Sequence, residues 1–80
     1  MKDYLVVYEQ GEDGGWGAHC ADMDVFVVGS TRAEVEKLVT EGIVMYIEDA
    51  LARREPVPEP RTEAERVAID TDALLKAATA

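Results

Sequence analysis

Four carboxylates fall in two short polar stretches of the N-terminal part of the chain: Glu12 and Asp13 in one, Asp22 and Asp24 in the other. Two or three loop carboxylates are the least a magnesium ion needs, since water commonly completes its octahedral oxygen shell. The neighbouring apolar run, Tyr4 to Tyr8, has acids only beside its ends, at Asp3 and Glu9, so no buried strand carries carboxylates in line. The acids therefore read as a solvated rim, with no metal expected. His19 is the single histidine. A general base needs an orienting partner and a substrate pocket, and the sequence offers it neither, so it reads as a residue on a sheet face. Cys20 is the single cysteine, which precludes an intramolecular disulfide, and it reads as a small strand hydrophobe. No phosphate-cradling loop, zinc spacing or nucleophile motif occurs. The expectation is a protein without catalysis or cofactor.

The elements that position these groups follow from periodicity. Tyr4-Leu5-Val6-Val7-Tyr8, bounded by Asp3 and by Gln10 to Gly15, reads as a strand. Leu5 and Val7 fall on one face, Tyr4, Val6 and Tyr8 on the other. A strand apolar on both faces belongs in a sheet at least partly covered on both sides. Asp13-Gly14-Gly15 signals a hairpin, because glycine accepts positive φ. A second strand runs from about Gly15 to Cys20, with Trp16, Ala18 and Cys20 opposite Gly17 and His19. After a turn at Ala21 to Asp24, a third strand, Val25 to Val28, ends at Gly29-Ser30. Connections this short make an antiparallel meander.

Thr31 and Glu34 have capping-box spacing, the Thr31 hydroxyl accepting from the Glu34 amide and the Glu34 carboxylate reaching back to the Thr31 amide. The helix they open runs from about Arg32 to Arg54, with Val35, Leu38, Val39, Gly42, Ile43, Tyr46, Ala50 and Leu51 along one face. Gly42 costs a helix interior about 1 kcal/mol relative to alanine, which close approach to the sheet would justify. Val44, Met45 and Ile47 widen the apolar face, either toward the C-terminal segment or toward an oligomer surface. Arg53 and Arg54 suit the negative end of the helix dipole. Glu55-Pro56-Val57-Pro58-Glu59-Pro60 then ends the helix in a stiff extended connector. Ala64 to Asp70 reads as a fourth strand, and Thr71 or Asp72 caps a last short helix over 71–78.

This order predicts one α+β domain over 1–80, β-β-β-α-β, with strand four parallel to strand one. A right-handed crossover places strand four beside strand one, giving the spatial order 3-2-1-4. The helix covers one face, and the other carries part of an apolar set that includes Tyr4, Val6 and Tyr8. Little chain remains to cover them, so these three are the expected interface of a homodimer, a higher oligomer or a heterologous partner. With 80 residues the chain sits near the lower limit for a single core, though 48% hydrophobic content sets it apart from disordered sequences. Eight Lys and Arg against 17 Asp and Glu give a net charge of −9. Phosphate contacts need cations, so nucleic acid is not an expected ligand, whereas a basic partner is the complementary expectation. Met1-Lys2-Asp3 leads into no signal-type apolar region and no stretch has membrane-spanning length, so a cytoplasmic protein is expected, without a membrane partner.

The apolar strand Tyr4 to Tyr8, the hairpin Asp13 to Trp16, the turn and strand Ala21 to Val28, the helix start Gly29 to Glu34, the helix Val35 to Leu51 and the exit Glu55 to Pro60 together resemble the N-terminal domain of HicB-type antitoxins. Those proteins are acidic partners of small HicA-type RNA-cleaving toxins. The resemblance implies a reduced RNase H-like domain lacking catalytic carboxylates, acting by binding and inhibiting a small basic RNase. The alternative is a homo-oligomeric binding or structural domain with no toxin partner. Against such a toxin, Glu12, Asp13, Asp22 and Asp24 would make contact, with Trp16 as anchor, because an RNA-cleaving protein must present positive charge to phosphate. The chain departs from the family in two places. The turn at Ala21-Asp22-Met23-Asp24-Val25 lacks the prolines and glycine usual there. Thr71 to Ala80 is too short for a helix-turn-helix, so operator DNA binding does not carry over.

Overall fold

A computed structural model describes residues 1–79. Three strands, β1 (Val6–Gln10), β2 (Trp16–Cys20) and β3 (Val25–Gly29), form an antiparallel sheet in the order β1-β2-β3. Helices α1 (Arg32–Ala52) and α2 (Thr71–Thr79) follow. The expected meander and long helix are present. β1, however, begins two residues later than the apolar run suggests. The hairpin sets this register: the Gly11 amide donates to the Gly15 carbonyl (2.8 Å), the Gly15 amide to Asp13 Oδ1 (3.0 Å), and Gly14 takes φ +87°. Polar Glu9 and Gln10 are thereby drawn into the ladder opposite Gly17 and Trp16.

The register also decides which side chains share a face. The cross-strand rows Val6–Cys20–Val25, Tyr8–Ala18–Val27 and Gln10–Trp16–Gly29 point one way; the rows Val7–His19–Phe26 and Glu9–Gly17–Val28 point the other. Helix α1 packs on the first set, above β2 and β3. Val35 and Val39 are fully buried there with Ala18, Cys20, Met23 and Val25, and Tyr4, Val6, Tyr8, Trp16, Val27, Ile43 and Ile47 pack around them. Gly42 makes the close approach its position implied: a Cβ there would stand 2.9 Å from Val25 Cγ1. Ile47, rather than Tyr46, continues the buried stripe, leaving Val44, Met45, Tyr46 and Leu51 exposed.

Both ends of α1 are capped by local chemistry. Thr31 Oγ1 accepts from the Glu34 amide (3.1 Å), but the Glu34 carboxylate reaches one residue further back than the capping box requires, to the Ser30 amide (3.0 Å). At the C-terminus Arg54 adopts φ +57°. The Glu55 amide donates to the Ala50 carbonyl and the Arg54 amide to that of Leu51, which is a Schellman closure built without glycine.

The expected fourth strand is absent as a strand. Residues 64–70 run exposed with no ladder bonds, and α2 buries none of its side chains. The alternation around Val67 and Ile69 gives this stretch strand character, but among the described residues it pairs with no strand. Asp70, rather than Thr71 or Asp72, caps α2 through the Ala73 amide (2.9 Å).

Candidate partner-binding face

Among the described residues nothing covers the sheet face turned away from α1. At its centre Phe26 and Val28 are 68% and 64% exposed, flanked by half-buried Val7 and His19. The Phe26 ring lies against β2 beside Gly17, where a Cβ would stand in ordinary contact with Cε2 and Cζ at 3.7 Å. An open groove of about 550 Å³ runs over this face toward the hairpin, where Glu9, Asp13 and Trp16 line it. At the opposite end the wall beside His19 and Phe26 is formed by the turn that carries Asp24. Neither lining includes a lysine or arginine. The arrangement is an apolar centre between two carboxylate-bearing ends, suited to a flat partner surface carrying cations.

The acidic residues singled out in the sequence do not converge. Glu12 and Asp13 lie in the β1–β2 loop, Asp22 and Asp24 in the β2–β3 turn, at opposite ends of β2. A five-residue strand separates the two groups, a distance of about 17 Å. Among the described residues no group of three potential metal-binding side chains forms. Glu12, Asp13 and Asp24 are exposed. Asp22 has a different task. Its Oδ1 accepts from the Arg61 amide (3.0 Å) and the Thr62 hydroxyl (2.7 Å), while Oδ2 is shielded from water and unpartnered. The Arg61 amide first, then the Thr62 hydroxyl, hold this carboxyl below the usual carboxylate range. Asp22 is thus a clasp on the chain leaving the connector. The turn around it owes its shape to Met23, whose side chain is buried in the core and whose carbonyl accepts from the Val25 amide (2.9 Å). Met23 supplies the anchorage that the missing prolines would have given.

Tyr4, Val6 and Tyr8 were expected on the uncovered face, yet they lie on the helix side and pack against the core. Tyr4 donates its hydroxyl to the Pro58 carbonyl (2.7 Å), and Arg32 stands 4.1 Å above the Tyr8 ring centre. Trp16 is half-buried at the end of the helix-side rows and reaches the groove at its edge. The residues that sequence reasoning overlooked are Phe26 and Val28. Their signal was the alternation within Val25-Phe26-Val27-Val28, which forces every second side chain outward once Val25 and Val27 face the core.

Fold and face together describe a small α+β domain: a three-stranded meander backed by one helix, with an open, acid-rimmed sheet face. No family model matches the chain, and no solved structure matches it. It is 36% identical over 60 residues to the UPF0150 protein ssr1765 of Synechocystis sp., a match covering 74% of this chain and 76% of that protein. The chain belongs to the UPF0150 family. Among the described residues no helix is long and apolar enough to cross a membrane.

Proposed function

We propose that this protein is an antitoxin of the HicB type, a binding protein rather than an enzyme, which holds a small basic RNA-cleaving partner inactive. The observation that carries this reading is the exposed face centred on Phe26 and Val28, with carboxylates at both ends and no cation in its lining. An RNA-cleaving protein presents lysines and arginines to phosphate, and this face offers the opposite field around an apolar anchor. The same absence of cations disfavours nucleic acid as a direct ligand. In this reading Glu9, Asp13 and Asp24, with Glu12 beside them, steer association, Phe26 and Val28 resist dissociation, and Asp22 acts only through the clasp. The meander and long helix are elements of the reduced RNase H-like layout; residues 64–70 would complete it as a fourth strand.

The test is coexpression with a small basic protein encoded beside this one, followed by purification and an RNA-cleavage assay. The pair should copurify, and the complex should not cleave RNA. Replacing Glu9, Asp13 and Asp24 by lysine should slow association, most at low salt, whereas Phe26→Ser should speed dissociation. Undiminished inhibition by both variants would remove this face from the interface. A neighbouring protein that neither binds nor cleaves RNA would leave the second reading, an oligomeric domain without a toxin, which the exposed C-terminal segment favours.

A further inference from the structure

We infer that residues 63–79 form an exchanged arm, whose extended part, 63–70, adds as a strand to β1 of a second copy of this chain and joins two copies in one continuous sheet. The inference does not depend on the antitoxin reading. It begins with shape. The radius of gyration is 17.4 Å and the extents are 61 × 28 × 18 Å, whereas a compact chain of 80 residues has a radius of about 12 Å. The excess length lies in the arm, where Val67, Ile69, Leu74 and Leu75 are 69%, 61%, 62% and 63% exposed. An isolated chain gains nothing from holding four large apolar side chains in water on a segment that pairs with nothing.

The connector determines which sheet edge receives an arm. Lys2 pairs with Glu59 (2.6 Å), Tyr4 with the Pro58 carbonyl, and Asp22 with Arg61 and Thr62. The first two contacts pin the connector beside the start of β1, and the third ties the arm's root to the β2–β3 turn at the same end of the sheet. From there the arm passes β1 in the same sense, leaving an open slot of about 540 Å³. Leu5 to Tyr8, Trp16 and Arg32 form one wall, and Ala64 to Arg66 the other. β1 is an edge strand with unpaired backbone groups facing this slot. An arm from a copy related by a two-fold axis perpendicular to the arm runs opposite to the resident arm, and hence antiparallel both to it and to β1. It fills the slot with ladder bonds on both sides. Alternate residues Val67 and Ile69 then share one face of the joint sheet. Burying the four apolar side chains of each arm, with an equal area of acceptor, removes roughly 1,500 Å² from water, the size of a stable interface.

Light scattering on the full chain at micromolar concentration should give twice the 8.8 kDa mass of one copy. Amides on the open edge of β1 should resist hydrogen exchange. Val67 and Ile69 are exposed in a single copy, so the double variant Val67→Lys, Ile69→Lys should keep the helical circular dichroism and a cooperative unfolding transition, fall to the mass of one copy and lose the β1 edge protection. Ala68→Pro, which removes a ladder donor, should do the same by a different route. A wild-type monomer with an unprotected β1 edge overturns the proposal. So does a dimer that survives both arm variants, or one that dissociates only with Phe26→Lys, since that result makes the open sheet face the interface.

Discussion

The substitution Gly42→Ala tests how α1 is seated on the sheet, because two effects of known size oppose each other there. Alanine is better than glycine in a helix interior by about 1 kcal/mol. The added methyl would stand 2.9 Å from Val25 Cγ1, about 1 Å inside ordinary carbon–carbon contact. Val25 cannot swing aside: it is buried beneath α1 and pairs with Cys20 in the ladder, and its branched Cβ restricts χ1. Relief requires the helix to lift, and overpacking of this kind costs about 1–3 kcal/mol. Strain outweighs propensity, so Gly42→Ala should destabilise the fold by up to about 2 kcal/mol. In a Val25→Ala background the obstacle is gone, and the same substitution should stabilise by about 1 kcal/mol. The assay is urea unfolding of all four chains at one fixed protein concentration, since dimerisation would make midpoints concentration-dependent. With a slope near the low end for small domains, about 1 kcal/mol/M, the two backgrounds should move the midpoint in opposite directions by about 1 M. A gain of about 1 kcal/mol in the wild-type background, additive with Val25→Ala, would refute the close approach.

Three further outcomes follow from features of the fold. Arg54→Gly should stabilise the protein by up to about 1 kcal/mol, raising the melting temperature by several degrees, because glycine relieves a left-handed residue of its steric cost; a lower melting temperature would contradict the Schellman closure. The Asp22 carboxyl is held below the usual carboxylate range, so the clasp contributes stability above the pKa of the unfolded chain and loses it as pH falls through the lowered folded value. The Arg61 amide resonance should therefore titrate in acid below that usual range, and Asp22→Asn should abolish the titration. Phe26→Ser should leave unfolding stability within about 0.5 kcal/mol of wild type, because its side chain is on the open face; a loss of several kcal/mol would place that ring in a core.

What the sequence made legible was local. The Asp13-Gly14-Gly15 hairpin, the Thr31 cap, the proline exit and the Gly42 contact each depend on residues near one another in the chain or on one helix face, and each has its counterpart in the structure. The sidedness of β1 was not local. Tyr4 to Tyr8 is apolar at every position, so its own pattern does not say which alternate set faces the helix. Pairing with β2 decides it: Val6 stands opposite Cys20 and Tyr8 opposite Ala18, both fully buried. That pairing moves Tyr4, Val6 and Tyr8 to the helix side. The acidic residues misled for a related reason. Asp13 and Asp22 are nine positions apart, but β2 stretches between them, so nearness in sequence became opposite ends of a sheet. The alternation around Val67 and Ile69 records a preference for being a strand, and preference alone does not form the pairing with β1.

The arm and the open face use different surfaces of the same sheet, and this separation has a consequence for how the protein can work. Arm addition consumes the backbone edge of β1, whereas the face built on Phe26, Val28 and His19 presents side chains above β2 and β3. In the proposed dimer, joining two copies edge to edge would extend the sheet without covering that face, leaving both acid-rimmed faces open. The clasp links the two surfaces: Asp22 lies in the turn beside Asp24 and holds Arg61 and Thr62 at the arm's root. Weakening it should loosen the arm first and disturb the face only through the turn. Asp22→Asn is therefore predicted to shift the monomer–dimer equilibrium more than it shifts association with a basic partner, and Asp24→Lys to do the reverse. Sedimentation equilibrium and binding kinetics on the two variants separate these effects. Equal changes from both substitutions in both measurements would mean that turn and arm respond as one unit.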